Sequence, residues 1–317
     1  MLIFQKMLTL FFLMAVGYFM RIRGWITDEN SGLLSKIVNN IANPAMIIAA
    51  AMTAGDAISN QILLITALLA VVFYALLTAT GPLITRLLHV PAGSRGCYKC
   101  MHIFGNIGFM GIPLITSIYG SEYALLVAIY NFVFLMLLYT YGIRLCRTDA
   151  RALAAADGNA EESEEAPFSW KNLVNAGTVG CIIALVIFLT RVPMPDFITN
   201  TFDMLDGLAG PLAMFAIGSS LAAIAPKELV SDMRLNLFIL IRLIAIPIAA
   251  IAVFRLFCQA DLLLRVFYVM ISVPIASSCV LMPEEYGGNC DLAARGVALS
   301  TLLSVITLPL VGMIFGL

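Results

Sequence analysis

Two apolar stretches of this 317-residue chain are interrupted by glycine and proline at matching places in its two halves: GNIGFMGIP, ending at Pro113, and YVMISVP, ending at Pro274 with IASS following. Each predicts a membrane helix broken partway across. In hydrocarbon an unpartnered backbone group costs on the order of several kcal/mol, so an interrupted helix persists there only where protein or a water-filled cavity takes up the freed groups. A matched pair of breaks therefore points to a binding site where the two helices part.

Lipid is the right solvent to assume. Hydrophobic residues make up 61% of the chain and charged residues 12%, about half the charged share of a soluble domain. Ten apolar stretches are long enough to cross roughly 30 Å of hydrocarbon at about 1.5 Å per residue: residues 3–20, 33–52, 62–83, 97–119, 123–143, 171–189, 202–224, 235–257, 262–285 and 292–315. The expected architecture is an all-α integral membrane protein, with five helices in 1–144 and five in 170–317. Between them, 145–169 reads as an acidic linker, because the run of Glu161, Glu162, Glu164 and Glu165 cannot bury enough apolar surface to fold alone. A regulatory or docking loop is the functional alternative for that run.

Proline punctuates helices more strongly than any other residue, and it punctuates both halves alike. Pro44 and Pro211 lie 167 residues apart, Pro82 and Pro247 165, Pro113 and Pro274 161, each pair on corresponding spans. Prolines are frequent in membrane helices, but three ordered offsets predict an internal repeat. Since each half has an odd number of spans, the second copy enters the bilayer from the opposite face, as an inverted repeat.

Basic residues set the orientation, because loops rich in lysine and arginine stay on the cytoplasmic side. Thirteen of the eighteen fall on one side: Arg21, Arg23, Lys36, Arg86, Arg95, Lys99, Arg144, Arg147, Arg151, Lys171, Lys227, Arg234 and Arg295. Lys6, Arg191, Arg255 and Arg265 fall on the other, and Arg242 lies inside a span. Both termini are thus expected outside and the linker in the cytoplasm, in a multi-pass protein of the cell membrane. The first span does not read as a secretory signal, since its basic cluster RIR follows the apolar run and no small-residue cleavage site closes it.

The seven cysteines include one close pair, Cys97 and Cys100, without the second pair or histidine set that a metal or redox site requires. His89 and His102 form no ligand cluster. No cofactor, metal or nucleic acid partner is expected; a homodimer is compatible with the pattern. An intramembrane enzyme needs a nucleophile with its base, or metal ligands, converging at one depth, and scattered serines with two histidines supply neither.

Several segments together resemble the auxin efflux carrier family: GNIGFMGIPLITSIYG at 105–120, PIASSCVLMPEEYG at 274–287, RIRGWITDENSGLLSKIVNNIANPAMI at 21–47, AMFAIGSSLAAIAPKEL at 213–229 and RLIAIP at 242–247. The resemblance covers nearly all the membrane-embedded sequence and leaves out the linker. That family includes plant auxin exporters and bacterial carriers associated with malate, malonate and similar organic acids; a linker of about 25 residues is similar to the bacterial branch. The resemblance implies the ten-helix fold shared with bile acid/sodium symporters and sodium/proton antiporters. In it the first, second, sixth and seventh helices form a scaffold, the others form a transport domain, and the fourth and ninth cross at their breaks. It also implies elevator-like alternating access.

The chemistry of such a crossing follows from the backbone. The second half of a broken helix begins with unpaired N–H groups and roughly half a positive charge; two such ends suit an anion, as helix N-termini suit phosphates. Pro113 and Pro274 fit the first position of a half-helix, where no N–H is lost, and Gly105, Gly108 and Gly111 let backbone approach a ligand. Asn106 offers a donor and an acceptor, and Ser277 and Ser278 follow the second break. Asn106 also matches the family's asparagine seven residues before the span-four proline. The plainer roles are a helix cap for Asn106 and helix packing for the serines.

Asn39, Asn40 and Asn43 crowd the second span before Pro44. An asparagine there needs a partner, so Asn43 is expected to face the cavity or an interhelical hydrogen bond; the family's plant members are often apolar at this place, which leaves the far end of the ligand open. Arg242 is expected either to bind a second carboxylate or to pair with carbonyls freed at a break. No Asp or Glu falls securely at mid-span, so no coupling ion is assigned. A carrier of small organic anions, mono- or dicarboxylates or auxin-like acids, is the expected function. A sodium- or proton-coupled symporter of another solute on the same fold is the alternative, with a channel or an intramembrane enzyme as further classes.

Overall fold

The computed structural model describes residues 2–54, 58–156 and 174–316. These form an all-α membrane protein, in which the only pairing of extended backbone among the described residues is an antiparallel bridge between Gly105 and Ile275. The first half runs α1 (Leu2–Ile22), α2 (Asp28–Ile37), α3 (Asn43–Thr53), α4 (Asn60–Leu87), α5 (Arg95–Ile103), α6 (Ile112–Tyr119), α7 (Ala124–Leu137) and α8 (Ile143–Ala156). The second runs α9 (Ala176–Thr190), α10 (Asp196–Ala222), a short α11 (Pro226–Leu229), α12 (Met233–Leu240), α13 (Ile246–Phe257), α14 (Asp261–Ser272), α15 (Ser278–Tyr286) and α16 (Cys290–Phe315). Seven helical runs among the described residues are long and apolar enough to span a bilayer. The two expected broken helices are the pairs α5/α6 and α14/α15, each parted by a few extended residues.

Proline explains several of the joints. A proline inside a helix lacks an N–H and its ring crowds the carbonyl four residues back. Among the described residues, three of the four wide, π-helical turns, at Val38–Ala42, Ile107–Gly111 and Ile241–Ala245, immediately precede a helix with proline at its second position: Pro44, Pro113 and Pro247. The widened turn moves the crowded carbonyl aside, and the helix continues with a shifted face. Pro82 and Pro211, their partners by sequence offset, lie inside α4 and α10 without such a turn.

Helices α1, α3, α9 and α10 pack on one another. The α1–α10 contact is backbone to backbone: a Cβ on Gly218 would stand 1.9 Å from the Met14 carbonyl oxygen, and one on Gly17 2.4 Å from that of Phe215. Small residues at both ends let two membrane helices gain dispersion contacts that lipid cannot offer. A Cβ on Gly180 of α9 would meet the Pro44 ring at 2.8 Å, so the α3–α9 contact is nearly as close. The other helices, α4 to α8 and α12 to α16, pack among themselves around the two breaks.

The interval expected as linker from 145 is helical for its first part. Helix α8 continues to Ala156 with Leu145, Cys146 and Asp149 buried. The acidic run at 161–165 lies outside the described residues. Asp149 is 1% exposed, and its two carboxylate oxygens accept the N–H groups of Gly96 and Cys97, each at 2.7 Å. It thereby caps the first turn of α5, where a carboxylate also meets the positive helix end. Gly96 makes this possible, since a Cβ there would lie 2.2 Å from the Leu145 carbonyl oxygen.

Two stability predictions follow from these contacts, both read as unfolding of the detergent-purified protein. Gly218→Val should cost about 3 kcal/mol by forcing α1 and α10 apart. Asp149→Ala should cost about 2 kcal/mol by orphaning two buried donors; an unchanged melting curve would show that water replaces the carboxylate.

Candidate functional site

At each break the chain leaves its helix in extended form, and the two links pair. Phe104 (φ −96°, ψ 96°) and Val273 (φ −60°, ψ 148°) turn out of α5 and α14. The Asn106 N–H donates to the Pro274 carbonyl at 2.7 Å, and the Ala276 N–H donates to the Phe104 carbonyl at 2.9 Å. Two donors and two acceptors freed by the breaks are thus satisfied where no bulk water reaches. The Ile275 N–H donates to Ser300 Oγ at 3.1 Å, which ties the crossing to α16. Gly105 is required here, because a Cβ would stand 2.9 Å from Val273 Cγ2 and 3.3 Å from Arg242 Nη2.

Neither second half-helix begins at its proline: the first starts before Pro113 and the second after Pro274. Asn106 caps the first of them: its Oδ1 accepts from the Phe109 N–H at 3.2 Å, and its carbonyl accepts from Met110 and Gly111. Pro113 comes well inside, after the wide turn Ile107–Gly111, and packs where a Cβ on Gly210 of α10 would reach it at 3.6 Å. Pro274 lies in the extended link itself and serves as an acceptor, while Ser277 is the cap of α15 and makes no side-chain cap bond. The placement expected for the two prolines, at the first position of each half-helix, is therefore corrected: proline's fixed φ serves a widened turn in one case and an extended link in the other.

Between these half-helix starts and α2, α3 and α9 lies a cavity of about 170 Å³, on a measure by which a single water needs roughly 10–15 Å³. Six asparagines border it: Asn39, Asn40, Asn43, Asn106, Asn131 and Asn175. Gly108, Ser277, Ser278 and Tyr139 join them, with apolar walls from side chains such as Ile47 and Phe134. Of the predicted site residues, Asn43, Asn106, Gly108, Ser277 and Ser278 meet at this cavity. Pro113, Pro274 and Arg242 are not among its walls. Among the described residues no charged side chain is either.

The amides are left with spare capacity. Asn106 is 2% exposed and its Nδ2 has no partner. Asn175 caps α9 by accepting from the Thr178 N–H at 3.1 Å, which likewise leaves Nδ2 unpaired. In both residues the cap bond fixes which atom is oxygen, so the unpaired group is a donor. Asn43 Oδ1 is also buried without a partner, and a Cβ on Gly108 would come within 3.2 Å of Asn43 Nδ2, so glycine makes room for that amide. Each buried unpaired group costs about 1–3 kcal/mol. Such a concentration at one cavity describes a site built to receive hydrogen-bonding atoms it does not itself contain.

Arg242 sits behind the crossing, fully buried. Its Nε donates to the His102 carbonyl at 3.0 Å and its Nη1 to the Ile271 carbonyl at 2.7 Å. Of its two expected roles, the geometry is that of pairing with freed carbonyls. Asn131 and Asn175 were not singled out in the sequence. The second carried a signal, as an N-x-x-T cap before an apolar run; the first was a lone polar residue in an apolar span, the kind that marks a lined cavity.

A family model described as membrane transport protein matches residues 2–311. An uncharacterized transporter of Methanothermobacter thermautotrophicus is 26% identical over 320 residues, 96% of either chain. An uncharacterized transporter of Methanocaldococcus jannaschii is 25% identical over 311 residues, 95% of either chain. The uncharacterized transporter YfdV of Escherichia coli K12 is 23% identical over 322 residues, 96% of this chain and 95% of its own.

Substitution separates the cap from the amide donor at Asn106. Asn106→Ala should lose about 1 kcal/mol of stability with the cap, whereas Asn106→Asp keeps an accepting oxygen and should melt near the wild type. A large loss in the aspartate variant would show that Nδ2 has a structural partner.

Proposed function

The chain belongs to the membrane transport protein family, that of the auxin efflux carriers, and is a membrane transporter; we propose that it is a carrier of small organic anions, with its site at the crossing of the two broken helices. One observation carries this reading: two half-helix N-termini and the unpaired amide donors of Asn106 and Asn175 border one cavity that, among the described residues, no charged side chain lines. Fixed partial positive charge and N–H donors without a fixed cation suit a carboxylate. Water can also fill such a cavity, but an anion gains from both the dipoles and the donors.

The amides favour a particular kind of acid. Asn39, Asn40, Asn43 and Asn175 come from one helix group and Asn106, Asn131, Ser277 and Ser278 from the other, so polar groups face the ligand from two sides. A short dicarboxylate or hydroxy acid such as malate or malonate can use both walls, whereas an aromatic acid would leave amides unpaired. The cavity lies between α2, α3 and α9, which with α1 and α10 would serve as scaffold, and the helices around the crossing, which would serve as transport domain. Elevator-like motion of the second group against the first, in an inverted repeat with both termini outside, would expose the site alternately. A carried anion then moves with about 2.3 kcal/mol of driving force per charge per 100 mV.

Counterflow tests the carrier reading. Proteoliposomes loaded with unlabelled malate or malonate should transiently accumulate the labelled acid, and Asn106→Asp should abolish this while leaving reconstitution intact. Failure across a panel of mono- and dicarboxylates would sink the organic anion. Uptake without counterflow would indicate a channel.

A further inference from the structure

We propose that Arg242 is a tethered counter-cation of the crossing: its guanidinium fills the place where two broken helices end in unpaired carbonyls, so the carrier needs no cation from solution to hold its anion. This rests on the organic anion reading and adds to it the question of what balances the charge.

The last carbonyls of a helix have no intrahelical partner and carry roughly half a negative charge. Here α5 and α14 both end at the crossing, which brings about one negative charge to its back, as the half-helix starts bring about one positive charge to its front. Alone, the two would cancel at a distance, and an anion at the front would feel the carbonyls behind. Carbonyls at such half-helix ends are the groups by which broken-helix transporters coordinate sodium or protons. In this chain a guanidinium reaches them instead, Nε to His102 and Nη1 to Ile271 at 3.0 and 2.7 Å. Among the described residues no carboxylate forms an ion pair with it.

Its position is fixed by sequence. Arg242 lies in the wide turn Ile241–Ala245 that Pro247 requires, and it is wholly buried. Its Nη2 is unpaired and close enough that a Cβ on Gly105 would stand 3.3 Å away. Gly105 and its neighbour Asn106 both border the cavity. The charge is thus held one layer of backbone from the ligand, near enough to act on it and screened from touching it. An arginine in this role is a positioning residue, and it acts equally on any anion.

The test uses proteoliposomes and the acid found by counterflow, in choline medium with sodium, lithium or about 10 mM guanidinium added. The wild type should transport equally in all of them. Arg242→Gln should lose roughly 10–100-fold in choline, to the same extent for mono- and dicarboxylates, and regain uptake with sodium, lithium or guanidinium. Its melting temperature should rise with the same additions while that of the wild type stays still. Arg242→Lys, which keeps the charge, should transport without sodium; it decides the matter alone if the glutamine variant cannot be purified, and its full inactivity would overturn the proposal. So would undiminished uptake by Arg242→Gln in choline, a loss selective for dicarboxylates, or failure of every cation to restore either uptake or melting temperature. If the wild type transports no acid, the anion reading fails, and the melting titration still decides whether a cation replaces the guanidinium.

Discussion

The structure depends on one constraint: inside a bilayer, each backbone N–H and C=O released by a broken helix must find a partner in the protein. Two of the broken helices' links pair with each other, through Asn106 with Pro274 and Ala276 with Phe104. The carbonyl ends take Arg242. The N–H ends receive less: Asn106 caps one and the Ser277 side chain leaves the other uncapped. What is left unsatisfied faces the cavity. The crossing is therefore asymmetric: a guanidinium meets its carbonyl ends at the back, while its N–H ends are less fully met at the front, where a ligand would add partners.

The same asymmetry has a sign. Helix ends alone give equal positive and negative partial charges, and a site between them would favour neither ion. As proposed, a buried guanidinium against the negative ends would tip the balance towards anions without presenting a charge to the cavity. The lining amides then supply direction. Desolvating a fixed lysine or arginine within the cavity would be costly whenever the ligand leaves, whereas amides and backbone N–H groups can be rehydrated at modest cost. A carrier has to release what it binds, and a site of neutral donors biased from behind suits that cycle.

Glycine and proline made the crossing legible, because nothing else explains their placement in apolar spans. They did not locate the half-helix starts. Proline was read as a first helical residue, yet Pro113 follows a whole π turn and Pro274 lies outside helix, since a membrane helix can absorb a proline by widening as well as by breaking. Whether it widens depends on the neighbour that receives the displaced carbonyl, and that is a tertiary fact. Asp149 was hidden for a related reason. Its charged, alanine-rich surroundings read as linker, and only the closeness allowed by Gly96 turns it into the cap of α5. Asn106 and Asn43 were legible because asparagine in an apolar span must be partnered; that Asn131 and Asn175 join them depends on helices far apart in sequence.

The distribution of those amides bears on motion. Asn106 and the two serines belong to the crossing, while Asn39, Asn40, Asn43 and Asn175 belong to the helices around α3 and α9; close glycine contacts join α3 to α9 and α1 to α10, and α3 packs on α10. A displacement between the two groups leaves the crossing's internal bonds intact, because Arg242, Ser300 and the paired links all lie on one side. It would part the hydrogen bond from Cys181 Sγ of α9 to the Ala128 carbonyl of α7, at 3.5 Å, besides any bonds that pass through a ligand. The unpaired atoms Asn43 Oδ1 and Asn175 Nδ2 lie on one side and Asn106 Nδ2 on the other, so in the proposed carrier a ligand would join them by bridging. Such a bridging ligand would add polar links across the surface between the two groups, so its arrival and departure would change how firmly they hold together.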